Sequence, residues 1–172
     1  PFISLFSFGW MIGWAKTPYS LRWVDSNTIK AGLMSAAGPI SNLLLLLFTS
    51  LLIHLGIGLG LFNPHPFQVK ISSLVLATES GQLELITNIL SIMFSMNLIL
   101  FIFNILPIPP LDGSGIPLIF LDNEMGKRYL EVIRKPVYSI IGLFASWILF
   151  GFLFLRVFIF AVNLLYPGGH YQ

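Results

Sequence analysis

The chain has no cysteine, which excludes disulfide frameworks, thiolate nucleophiles and cysteine metal sites. Charge is nearly as scarce: Asp, Glu, Lys and Arg make up 9% of 172 residues, against about 25% in a typical soluble domain. So few ionisable groups cannot cover a water-facing surface. The formal net charge of +2 is too small to hold a polyanion, and the pI of ≈ 9.1 reflects the shortage of acids, so nucleic acid is excluded as a partner. The opening Pro1-Phe2-Ile3 has no initiator Met and no basic region before an apolar stretch, so it is not an intact signal peptide. It reads as the start of a piece. What remains is apolar, 56% hydrophobic with a mean hydropathy of +0.87, and the composition is that of a bilayer protein.

A membrane-crossing helix needs about 20 mostly apolar residues. Between Lys30 and Lys70 there is no Asp, Glu, Lys or Arg, and the first span is expected at about 33–62. The uncharged stretch between Glu84 and Asp112 holds the second, at about 85–106, stopped by Pro107, Pro109 and Pro110, each lacking an N–H and biasing its predecessor away from helix. A third follows Pro136, at about 137–162, interrupted only by Arg156, which can snorkel to the headgroups. Pro1 to Ala15 is apolar but too short to cross, and is expected to be a partial span or a re-entrant segment. The fold class is therefore all-α integral membrane. There is no repeat and no appended soluble domain, so residues 1–172 are read as a single membrane-embedded domain.

Orientation follows the Lys and Arg of the short loops. Residues 16–30 carry Lys16, Arg22 and Lys30, and residues 112–135 carry Lys127, Arg128, Arg134 and Lys135, whereas residues 63–84 carry only Lys70. The two basic loops share a side, expected to be cytoplasmic. Residues 123–135 read as a short helix capped by Asp122 or Asn123, with Glu131 placed to pair with Arg134 or Lys135. Its apolar side, Met125, Tyr129, Leu130 and Ile133, suits it to the membrane interface.

The stretch that carries chemistry is Asn104-Ile105-Leu106-Pro107-Ile108-Pro109-Pro110-Leu111-Asp112-Gly113. Prolines at the end of a membrane helix free backbone carbonyls, which are tolerated at that depth only when buried in protein or facing a wet cavity. A carboxylate there costs about 2.5–3.5 kcal/mol at a helix centre and is by default functional. Asp112 is either such a group or a headgroup-level residue that merely ends the span.

These residues resemble the Asn-x-x-Pro-x-x-Pro-Leu-Asp-Gly signature of the site-2 protease family of intramembrane zinc metalloproteases. Gly13-Trp14-Ala15-Lys16-Thr17-Pro18 is similar to the Gly-Trp-Ala-Lys-Pro segment of its compact bacterial members, with Thr17 as a departure, and Ala37-Gly38-Pro39-Ile40-Ser41-Asn42 matches the family's Ala-Gly-Pro-x-x-Asn motif. The resemblance implies that Asp112 is the third ligand of a zinc ion, with two His and a general-base Glu supplied by a His-Glu-x-x-His helix. Three protein ligands leave a fourth position for water, whose pKa falls toward 7. It further implies substrate-binding or ligand-supporting roles for Asn104, Asn42, Pro107 and Gly113, a transmembrane-helix substrate, and a bacterial cell membrane with the site toward the cytoplasm. For Asn104 and Asn42 the plain alternative is a helix–helix hydrogen bond, and for Gly38 close helix packing.

No His-Glu-x-x-His occurs in the chain. His54 is expected about 30 Å along the first span from Leu33, and His65 and His170 fall in the outer loop and tail, all on the wrong side for Asp112. The resemblance puts that helix a few tens of residues before Gly13, so the chain is expected to be the C-terminal part of a larger protease, without a catalytic residue of its own and inactive alone. Two other classes compete with this reading. A non-catalytic scaffold would lack the motif in the complete gene, and a transporter subunit would need a second broken helix with an acidic partner.

Overall fold

The computed structural model describes residues 20–65, 70–79 and 81–166; the Gly13 to Pro18 motif, the segment from Pro1 to Ala15 and His170 lie outside them. Helix α1 (Leu21–Ser26) is capped by Ser20, whose hydroxyl accepts from the Trp23 N–H. After the single residue Asn27 the chain enters α2 (Thr28–Gly58), followed by a hairpin of β1 (Phe62–Pro64) and β2 (Val75–Ala77), then α3 (Gln82–Ile105). A 3-10 helix (Asp112–Ile119), α4 (Asn123–Ile133) and α5 (Pro136–Leu165) complete the described chain. The protein is all-α, apart from the small hairpin, with α2, α3 and α5 each long and apolar enough to cross a membrane.

The long helices take their ends from local chemistry. Pro136 occupies the first turn of α5, where its missing N–H costs nothing. Pro107 ends α3 because it cannot donate to the Phe103 carbonyl, which receives the Leu106 N–H instead. The first span differs from expectation at both ends. Its helix begins earlier, at Thr28, and stops at Gly58 although Leu59, Leu61 and Phe62 continue the apolar run. Gly60, at φ 73°, turns the chain, and Phe62 folds back onto Gly56.

Two clusters hold the fold. At the hairpin end, Ile53, Leu74, Val75, Phe94, Leu98 and Val162 join α2, β2, α3 and α5. The buried Ser91 hydroxyl accepts the Leu74 N–H at 3.0 Å, and the Tyr166 hydroxyl donates to the Leu74 carbonyl at 3.2 Å. At the opposite end Val24, Ala31, Leu118 and Leu130 tie α1, α2, the 3-10 helix and α4 together. Elsewhere α2 and α5 turn leucines and phenylalanines outward, such as Leu44, Leu51, Phe144 and Phe152, the arrangement lipid requires.

The antiparallel α2 and α3 differ in length, 31 against 24 residues, so at 1.5 Å per residue α3 is about 10 Å the shorter. The proline loop and the 3-10 helix fill the space beyond its end. Helix α4 then lies across the Thr28 end of α2, where Thr28 donates to the Asn123 side chain at 2.9 Å and a Cβ on Gly126 would meet Thr28 Cβ at 2.9 Å. Asp122 caps α4 by accepting the Met125 N–H at 2.7 Å, as expected from the sequence. The expected pairing of Glu131 with Arg134 is replaced by a bond from Arg134 to Asp25 of α1 at 2.9 Å: tertiary packing brings a carboxylate within closer reach than the helix neighbour.

Candidate metal centre

The seam between α2 and the 3-10 helix is built from residues too small to keep the backbones apart. At one end, a Cβ on Gly32 would lie 2.8 Å from the Ile119 N; in the middle, Ser35 abuts Gly115; at the other, a Cβ on Gly38 would lie 2.6 Å from Asp112 Oδ2. The spacing of 32, 35 and 38 puts these contacts on one face of α2. The absent side chain of Gly38 is the space that the Asp112 carboxylate occupies. Thus the second and third sequence motifs, 74 residues apart, meet at a single contact.

Asp112 is recessed. Gly38 is ten residues along α2 from Thr28, about 15 Å of helix. On the other flank Gly142 lies against the Pro109 carbonyl, six residues or about 9 Å into α5. The proline loop, which contains a cis Pro109-Pro110 bond, is therefore held below the helix ends, and it opens on a cavity of ≈ 490 Å³. Asp112, Pro110, Ser35, Ser139 and Arg134 are among the groups lining it. Such a polar hollow is what non-helical backbone at this depth requires.

The carboxylate faces the cavity with no ion-pair or hydrogen-bond partner among the described residues. Partial removal of its hydration raises the Asp112 pKa above the ordinary carboxylate value. Arg134 shares the cavity, but its guanidinium is engaged by Asp25. An unpaired, partly dehydrated carboxylate with free lone pairs is a fitting ligand for a divalent cation, since a cation offsets the lost hydration. It is one ligand of a set: among the described residues no group of three His, Asp or Glu side chains could hold a metal.

The other candidates sit around this point in distinct ways. Gly113 packs directly on the carbonyls of Ile105 and Leu106, where any side chain would collide, so it lets the chain double back beneath the end of α3. Pro107 is exposed and acts by ending α3. Asn104, in the last turn of α3, and Asn42, one turn beyond Gly38 on α2, are half-buried and make no hydrogen bond among the described residues. Neither lines the cavity itself. Asn97 instead spends its amide on the Met93 carbonyl at 2.8 Å, within its own helix. His54, four turns beyond Gly38, donates from Nδ1 to the Ser50 carbonyl at 2.8 Å, and the His65 backbone N–H donates to the Leu74 carbonyl in the hairpin. Neither histidine stands near Asp112. Sequence reasoning passed over Arg134 and Ser139 as cavity groups, because nothing in their spacing signals that α4 and α5 close around the proline loop.

Comparison with known proteins agrees with the motifs. The model of peptidase family M50 matches residues 20–149. A protein of Bacillus subtilis (strain 168) named "Putative zinc metalloprotease YwhC" is 35% identical over 105 residues, which cover 60% of this chain and 41% of the relative. The chain spans about two fifths of that relative's length. No solved structure matches. With the Ala-Gly-Pro and Leu-Asp-Gly motifs in contact and a family match across most of its length, this chain belongs to peptidase family M50, the site-2 protease family.

Proposed function

We propose that this chain is the part of an intramembrane zinc endopeptidase that supplies the carboxylate ligand and the substrate cavity, and that the complete protein cleaves transmembrane helices. The observation that carries the reading is the Asp112 carboxylate, recessed, unpaired among the described residues and seated in the hollow of Gly38. Two His ligands and the general-base Glu come from a His-Glu-x-x-His helix outside these 172 residues. Without them the chain alone has no general base and is inactive. Zinc, when bound, supplies Lewis acidity that activates water and polarises the scissile carbonyl.

The chain's own residues position and exclude. Gly38 and the 3-10 helix fix the carboxylate, and Pro107 and Gly113 hold the loop that carries it. Asn104 and Asn42 offer amide groups that can bond the backbone of a substrate helix once it has unwound, replacing bonds that the unwound segment loses. The open cavity admits water to a depth that hydrocarbon would otherwise keep dry. The basic residues of α4 and of positions 16–30 support a cytoplasmic orientation for this end of the helices in a bacterial membrane.

The test is cleavage of a transmembrane peptide by the full-length protein in bilayers. Cleavage that a zinc chelator stops and Asp112→Asn abolishes supports the reading; cleavage unchanged in Asp112→Asn contradicts it.

A further inference from the structure

The cavity bearing Asp112 has a wall built from a short separate helix. Helix α1 is six residues long and joins α2 through one non-helical residue, Asn27, at φ −137° and ψ 54°. Its inner face carries Val24, which lines the cavity and is 3% exposed. Opposite stands the C-terminal end of α4, where Ile133 and Arg134 line the same cavity. The two are joined by the Arg134–Asp25 ion pair, N–O 2.9 Å, with both side chains accessible to solvent at 33% and 44%. Asp25 sits three residues before the start of α2, next to the cavity-lining Val24, so the pair ties α1 to a cavity-lining residue at the end of α4.

We propose that Arg134 and Asp25 form a latch that sets how readily water and solutes reach the Asp112 cavity from the α1–α4 side. A half-exposed ion pair contributes too little to lock a wall in place. It is, however, enough to bias an equilibrium between a closed and an opened α1. Val24 supplies the apolar part of the closure, and its contact with Leu130 across the cluster lets α1 return to one position. The inference concerns access to the cavity and stands whether or not Asp112 binds zinc.

The absence of cysteine from these 172 residues makes the test direct. In the full-length protein in liposomes, with any cysteine outside these residues replaced by serine, Ser139→Cys places a probe on the cavity wall, and its labelling by a charged, membrane-impermeant thiol reagent is timed. Asp25→Asn and Arg134→Gln should each accelerate labelling about two- to fivefold, the range that a half-exposed pair commands. The exchange Asp25→Arg with Arg134→Asp should restore the slow rate. With no latch substitution, raising the salt from 0.05 to 1 M should accelerate labelling more in the Ser139→Cys protein than in its Arg134→Gln derivative, since screening acts on an exposed pair. Equal rates with and without the pair, and an equal response to salt, would overturn the proposal.

Discussion

Replacing Gly38 by alanine separates the seat of the carboxylate from the stability of the fold. The added Cβ would lie 2.6 Å from Asp112 Oδ2 and 3.6 Å from its Cγ, so the oxygen must retreat by about 0.8 Å to reach ordinary contact at 3.4 Å. It can do so cheaply, because the atom in the way is the end of a side chain and the backbones need not part. Helix α2 itself gains, since alanine in a helix interior is favoured over glycine by roughly 0.5–1 kcal/mol. Metal–ligand distances, in contrast, tolerate only about 0.2 Å, and a misplacement near 1 Å can cost on the order of 100-fold in rate. The expected outcome is a full-length protein whose melting temperature in detergent is unchanged or raised, with zinc content reduced and cleavage down by about 10- to 100-fold. Gly58→Ala is the control, for its Cβ would meet nothing within 4 Å. If Gly38→Ala keeps full activity and zinc, the contact does not position a ligand; if it loses the fold as well, the carboxylate is not the part that yields.

Two further substitutions test the frame around the site. Gly142→Ala drives a Cβ into the Pro109 carbonyl, a backbone atom that cannot swing aside, and should destabilise the protein by about 1–3 kcal/mol, read as a lower melting temperature, the reverse of Gly38→Ala. Tyr129→Phe removes the 2.7 Å bond that the phenol donates to the Ser114 carbonyl, at a cost of about 1 kcal/mol near pH 8. Desolvation raises the Tyr129 pKa, so this contribution is complete below the phenol's unfolded value of about 10 and is lost as pH rises through the folded value. The two proteins should therefore converge in stability in alkaline solution, as thermal melts over a pH series will register.

Hydropathy and proline alone were enough to locate three crossing helices and the stop ahead of Pro107, because burying backbone in lipid leaves few other solutions. The same signal misplaced the end of the first helix: Phe62 is apolar because it packs into the hairpin-end cluster from β1, a tertiary fact that a count of apolar residues does not contain, while Leu59 and Leu61 stay exposed. The strands of the hairpin are three residues each, too short for a period to register. Asp112 was legible as chemistry from its cost and its motif. Its partner was not, since Gly38 is distant in the chain and a glycine in a membrane helix ordinarily means packing. Helix spacing offered Arg134 or Lys135 to Glu131, and only the docking of α1 against α4 brings Asp25 to Arg134.

The central claim is that Asp112 contributes a ligand to zinc, and it is tested most directly by zinc affinity rather than by turnover. The full-length protein and its Asp112→Asn variant would be titrated against a competing chelator of known affinity, with zinc per polypeptide measured at each step. One zinc per wild-type polypeptide is expected, with affinity weakened at least about 100-fold in the variant, since even residues behind the ligands cost 10- to 100-fold. Equal zinc affinity in the two proteins would contradict the account.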